Sequence, residues 1–81
     1  MTIKEYLNSR KFKKDYKIWY YHFDIVDESG NSIQFKEELN LIDPECREEF
    51  LNTHDVLKVE TAWELDDAYE SYAYAKITTR L

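Results

Sequence analysis

Along residues 56–65, VLKVETAWEL, apolar and polar positions alternate: Leu57, Val59, Thr61, Trp63 and Leu65 fall on one side of an extended chain, Lys58, Glu60, Ala62 and Glu64 on the other. A period of two predicts a strand with one wet face. The same alternation runs through IWYYHFDIVDESGNSIQF at 18–35, where ESG interrupts it and suits a three-residue hairpin loop with Gly30 at positive φ. That loop sets Asp27 opposite Asn31, Ile25 opposite Ile33, Phe23 opposite Phe35, Tyr21 opposite Glu37 and Trp19 opposite Leu39, all on one mostly apolar side. The wet side pairs Val26 with Ser32, Asp24 with Gln34, His22 with Lys36 and Tyr20 with Glu38. A slip of one residue would set Phe23 opposite Gln34, so turn chemistry and hydrophobic pattern support one register.

Helical spacing is confined to two short segments. Thr2 and Glu5 have the form of a capping box, and Ile3, Tyr6 and Leu7 share a face, which predicts a helix over 3–9. The basic stretch SRKFKKDYK that follows has no clean period and reads as a lead into the sheet. In DPECREEFLN, Asp43 is placed as N-cap and Pro44 as the first helical residue, Cys46, Phe50 and Leu51 point inward, and the helix ends near Asn52 or Thr53. The last run, AYESYAYAKITTRL, fits both periods, and its aromatic and β-branched residues favour a strand. With a three-residue DDA loop, Leu65 faces Tyr69, Trp63 faces Ser71, Thr61 faces Ala73, Val59 faces Ala75 and Leu57 faces Ile77; small Ala73 and Ala75 then leave room for Trp63, and Tyr72 and Tyr74 lie outside. A loop one residue longer turns those two tyrosines inward, and both alternatives stand. The expected fold is α+β, a small antiparallel sheet of two hairpins with two short helices in the order α-β-β-α-β-β, forming one domain over 1–81.

Composition narrows the functional classes. Seven Tyr, four Phe and two Trp among 81 residues let a small core be built from few large rings. At this length the buried fraction is near the lower end for chains that fold alone, so a homodimer or another partner is one route to further burial. A single cysteine, Cys46, makes no internal disulfide, no secretory leader pattern opens the chain, and no apolar run reaches the roughly 20 residues of a membrane helix. A cytoplasmic chain with no membrane span is expected.

Charge is divided unevenly. Residues 1–17 hold Lys4, Arg10, Lys11, Lys13, Lys14 and Lys17 against Glu5 and Asp15, a net of +4, and the rest of the chain carries −10, giving −6 in all. Beside the aromatic strand, the basic segment 10–17 has the residue types of a single-strand platform, in which rings stack bases and cations neutralise phosphates. The hairpin register opposes this, because it turns Trp19, Tyr21 and Phe23 inward and leaves Tyr20 and His22 beside Asp24 and Glu38. Complementarity between the basic segment and the acidic body is the plainer reading, and direct nucleic-acid binding is the alternative. His22 and His54 lack the close spacing of a metal motif, so no metal or cofactor is expected. Cys46 with His54 is the best nucleophile and base available, but Glu45, Glu48 and Glu49 surround the thiol with negative charge, where a small buried hydrophobe is the plainer role, and no enzyme is expected.

The carboxylates are the strongest signal. Glu37, Glu38, Asp43, Glu45, Glu48 and Glu49 run from the end of the first hairpin through the second helix, and Glu60, Glu64, Asp66, Asp67 and Glu70 cluster about the second hairpin, with Tyr72 and Tyr74 beside them. Carboxylates on a rigid frame imitate a phosphate array and can occupy a basic channel in a nucleic-acid-binding protein. In its size, acidity, aromatic content and scarcity of Gly and Pro, the chain resembles phage and mobile-element inhibitors, among them anti-CRISPR and anti-restriction proteins. The resemblance implies a non-enzymatic DNA mimic that docks on a basic protein surface.

Overall fold

The capping box closes as its residues require. Thr2 Oγ1 accepts from the Glu5 N–H at 3.2 Å and the Glu5 carboxylate accepts from the Thr2 N–H at 2.9 Å, opening α1 (Ile3–Leu7). The computed structural model describes residues 1–15, 23–34, 36–65, 68–69 and 71–81. Expectations for Trp19, Tyr20, Tyr21, His22 and Phe35 lie outside the described residues.

Within the basic stretch, where no clean period predicts a helix, Arg10–Asp15 form one, α2. Ser9 starts it, its Oγ accepting from the Phe12 N–H at 3.2 Å. A helix this short has little intrinsic stability, so packing must hold it. Phe12 does so, 3% exposed, with its ring 5.4 Å from Tyr6 and 6.3 Å from Phe23.

Among the described residues the first hairpin pairs only at its turn. Asp27 N–H donates to the Asn31 carbonyl at 3.0 Å, Ile33 N–H to the Ile25 carbonyl at 3.0 Å, and Val26 bridges Ser32, the expected register. Gly30 sits at φ 87, as the loop requires. Pairing then stops, because Lys36 N–H turns back to the Ile33 carbonyl and residues Glu37–Leu39 coil into a 3₁₀ turn that Asn40 ends in the left-handed region at φ 46. Two glutamates favour a helical turn over a strand, and Asn tolerates the left-handed position. Glu37, Glu38 and Leu39 are therefore not strand residues opposite the aromatic run, and among the described residues the expected second strand of this hairpin is replaced by a 3₁₀ turn.

Strand β1 (Phe23–Val26) instead pairs in parallel with β3 (Ser71–Thr78), with Phe23 beside Ala75 and Ile25 beside Ile77. Strand β2 (Lys58–Leu65) is antiparallel to β3, so among the described residues the sheet is mixed and three-stranded in the order β1-β3-β2, not two antiparallel hairpins. Between β1 and β2 lies α3 (Pro44–Thr53), with Asp43 as N-cap and Pro44 first, as expected. The element order is α-α-β-3₁₀-α-β-β.

The second hairpin confirms the strand reading of 71–78 and changes its register. Leu65 pairs with Ser71, Trp63 with Ala73, Thr61 with Ala75 and Val59 with Ile77, a shift of two residues from the expected pairs. A shift of two keeps every side chain on its face. Ala73, Ala75 and Ile77 thus stay inward, and Tyr72 and Tyr74 share the opposite face with Glu64 and Ala62.

Ile3, Tyr6, Phe12, Ile25, Ile33, Leu41, Phe50, Leu51, Ala73, Ala75 and Ile77 form the core. Of β2 only Val59 packs on it, half-buried. Leu57, Trp63 and Leu65, expected inside, are 47%, 66% and 63% exposed, because among the described residues the core cluster is made by the helices with β1 and β3 and meets the outer strand at Val59.

Candidate functional site

Helix α3 carries its acids on one face. Glu45, Glu48 and Glu49 are exposed and stand at the i, i+3, i+4 spacing that aligns them, while Phe50 and Leu51 are buried on the other side. Asp43, at the N-terminus, is committed to structure: its carboxylate accepts from the Glu45 N–H at 2.9 Å and the Cys46 N–H at 3.1 Å. Glu48 meets Lys4 Nζ of α1 at 2.5 Å, which joins the two helices and tempers the field at one point. Glu37 and Glu38 are exposed on the 3₁₀ turn that precedes α3.

The hairpin acids stand on a separate element. Glu60 is exposed and 2.8 Å from Lys58 Nζ; that lysine, by hydrogen bond and by charge, holds the Glu60 carboxyl below its usual range. Glu64 accepts from the Tyr72 hydroxyl at 3.0 Å. Tyr72 and Tyr74 are half-buried, and Asp66, Asp67 and Glu70 lie outside the described residues. The carboxylates expected to act together are therefore divided between the α3 region and the sheet.

The basic segment is better organised than its sequence suggested. On α2, Arg10, Lys11, Lys13 and Lys14 are exposed and fan out opposite buried Phe12. None of the four makes an ion pair with a described residue, so the complementarity expected between segment 10–17 and the acidic body has no such pair among those residues; the pair of Lys4 with Glu48 lies outside that segment. The signals that could have revealed this helix were Ser9 as a cap and Phe12 as a lone anchor.

Cys46 and His54 are not brought together. They stand eight residues apart at opposite ends of α3, about 12 Å along its axis. His54 stacks on Phe50 with centroids 3.8 Å apart, and its Nδ1 lies 3.1 Å from the Phe50 carbonyl. Cys46 is half-buried, with Asn40 Nδ2 at 3.9 Å from Sγ. Among the described residues no group of His, Cys, Asp and Glu is placed to hold a metal ion. A shallow cleft of about 200 Å³ lies between the 27–30 turn and the sheet, but Asp27, Glu28, Lys58, Glu60 and Lys76 line it with both signs. Most of these charges have partners, Lys58 with Glu60, Glu28 with Arg80 at 3.0 Å and Asp27 with Lys36 at 3.5 Å, so the cleft does not present a single sign to an ion. No helix among the described residues is long and apolar enough to cross a membrane.

No protein-family model matches the chain, and no curated protein or solved structure is significantly similar to it.

Proposed function

We propose that this chain is a non-enzymatic binding protein that docks an acidic face on a basic protein surface, as a nucleic-acid mimic of the anti-CRISPR or anti-restriction type would. The observation that carries the reading is the aligned row Glu45, Glu48 and Glu49 on α3, set outward by the burial of Phe50 and Leu51 and preceded in the chain by exposed Glu37 and Glu38. Charges on a capped helix need no ordering when a partner arrives, so they accelerate encounter and make it salt-sensitive. Capture of a protein from nuclease-treated lysate of the source cell, released by added duplex DNA and lost when Glu45, Glu48 and Glu49 are changed to Lys, is the expected result. Capture indifferent both to DNA and to charge reversal would sink the reading.

A second reading, direct binding of a nucleic acid, is favoured by one observation: the four exposed cations of α2, which form no ion pair with a described residue. It predicts a complex in a low-salt gel shift that dissolves steeply with added salt and with Lys11, Lys13 and Lys14 changed to Glu. The −10 carried by residues 18–81 makes it the lesser of the two.

A further inference from the structure

The far end of the second hairpin carries large apolar groups that the core does not use. Trp63 and Leu65 share one face of β2 and are 66% and 63% exposed, and their neighbours across β3 are the small residues Ala73 and Ser71, which do not cover them. Two residues before Ser71, Tyr69 is 87% exposed at φ 62, in the left-handed region that a Tyr enters only at a cost. Such a conformation persists where some interaction offsets that cost, and a ring so exposed gains little from packing. The bend at Tyr69 therefore holds an aromatic group out in water.

The residues around these groups select what fits them. Between Lys58 and Lys76 the chain has no cation, while Glu60, Glu64, Asp66, Asp67 and Glu70 all fall in that interval, the last three bracketing Tyr69 in sequence. An aliphatic partner would strip water from carboxylates without pairing them, and a phosphate chain would be repelled. A cation meets neither objection. Arginine suits rings and carboxylates together better than lysine does, because its guanidinium is flat and weakly hydrated, stacks on an aromatic face and forks to a carboxylate. The molecule already holds one contact of this kind, with the Arg47 guanidinium carbon 5.5 Å from the centre of the Phe23 ring.

We propose that Trp63 and Tyr69, at the end of the β2–β3 hairpin, form a recognition point for arginine side chains on a basic partner protein. Leu65, on the same face as Trp63, adds apolar surface for the methylene stem of an arginine. The proposal rests on the docking reading and names what the partner presents: the α3 row attracts any basic surface, and the hairpin end favours one that carries arginine.

Blocked tetraarginine and tetralysine peptides, titrated into the full chain at low salt and followed by heteronuclear NMR, test this. The arginine peptide should shift the Trp63 indole and the Tyr69 amide and bind about threefold or more tighter than the lysine peptide. Carboxylates alone give arginine some advantage, so the variants decide. Trp63→Thr and Tyr69→Asn should each weaken the arginine peptide by about twofold or more and affect the lysine peptide less. Asn takes the left-handed region readily, so Tyr69→Asn should melt no lower than the wild type, which separates lost binding from a lost fold. An arginine peptide that leaves Trp63 and Tyr69 unshifted, an affinity that survives both substitutions, or a lower melting temperature for Tyr69→Asn would each overturn the proposal. Shifts confined to Glu45, Glu48 and Glu49 would overturn it and leave the docking reading standing, whereas binding of neither peptide would remove both.

Discussion

Replacing Trp63 by Thr tests the exposure of β2, and the replacement of Phe12 by Ala supplies the comparison. Alternation in the sequence places Trp63 in the core, where truncating a large ring costs about 3–5 kcal/mol. In the structure the residue keeps 66% of its surface in water. About a third of a ring worth roughly 250 Å² is then removed from solvent, which at about 25 cal/mol/Å² limits the loss to about 2 kcal/mol. Residual burial in the unfolded chain and the area retained by Thr bring this nearer to about 1 kcal/mol. Thr is also a good strand former, so the backbone of β2 is not disfavoured. Phe12, 3% exposed between Tyr6 and Phe23, should cost the full ~3–5 kcal/mol, much of the ~4–12 kcal/mol expected for a chain of this length. Urea titrations followed by far-ultraviolet circular dichroism, at concentrations where the chain is monomeric, read both values. With a slope of about 1 kcal/mol per molar, the midpoint falls by about 1 M for Trp63→Thr and several molar for Phe12→Ala. Equal losses would show that Trp63 is buried in solution and would refute its exposure on the outer strand.

Three further outcomes follow from single contacts. Asp43→Ala removes the acceptor for two N–H groups at the start of α3 and should cost about 1 kcal/mol, a fall in Tm of about 4–8 °C by thermal melt. Gly30→Ala meets no atom within 4 Å, so its cost, about 1 kcal/mol, comes from φ 87 alone; Gly30→Asn should recover part of it in the same melt. Asp27 is held below its ordinary 3.8, first by the Asn31 N–H and then by Ser29 N–H and Lys36, against an opposing desolvation. A carboxyl whose pKa is lowered by folding stabilises the folded state above its unfolded pKa, and that stabilisation is lost as pH falls through the lower folded value. The Tm difference between wild type and Asp27→Asn should therefore be steady near neutrality and shrink below about pH 4; a gap that widens with acid would refute the assignment.

How far the site was legible depends on how many elements each residue needs. The Glu45, Glu48 and Glu49 row follows from helical spacing once Asp43 and Pro44 start the helix, and the structure presents it as read. Glu37 and Glu38 are at the surface, but on a 3₁₀ turn, because two glutamates favour a helical turn and Asn40 closes it in the left-handed region. The cations of α2 were visible as charges and not as a face. A single Phe in six residues is too weak a period to announce a helix, and only contact with Tyr6 and Phe23 gives it one.

The sequence by itself determined what rests on near neighbours: the Thr2–Glu5 box, the Asp43–Pro44 start, the turn at Gly30, and the parity that keeps Ala73, Ala75 and Ile77 on one face. Each depends on hydrogen bonds or side-chain directions within a few residues, and so is encoded locally. Tertiary structure alone decided that β1 lies parallel to β3, that α2 exists, and that β2 is an outer strand with Trp63 in water. Those outcomes compare the burial of whole faces from distant segments, Ile25 against Ile77 and Phe23 against Ala75, and alternation records only which side a residue is on, never what covers it.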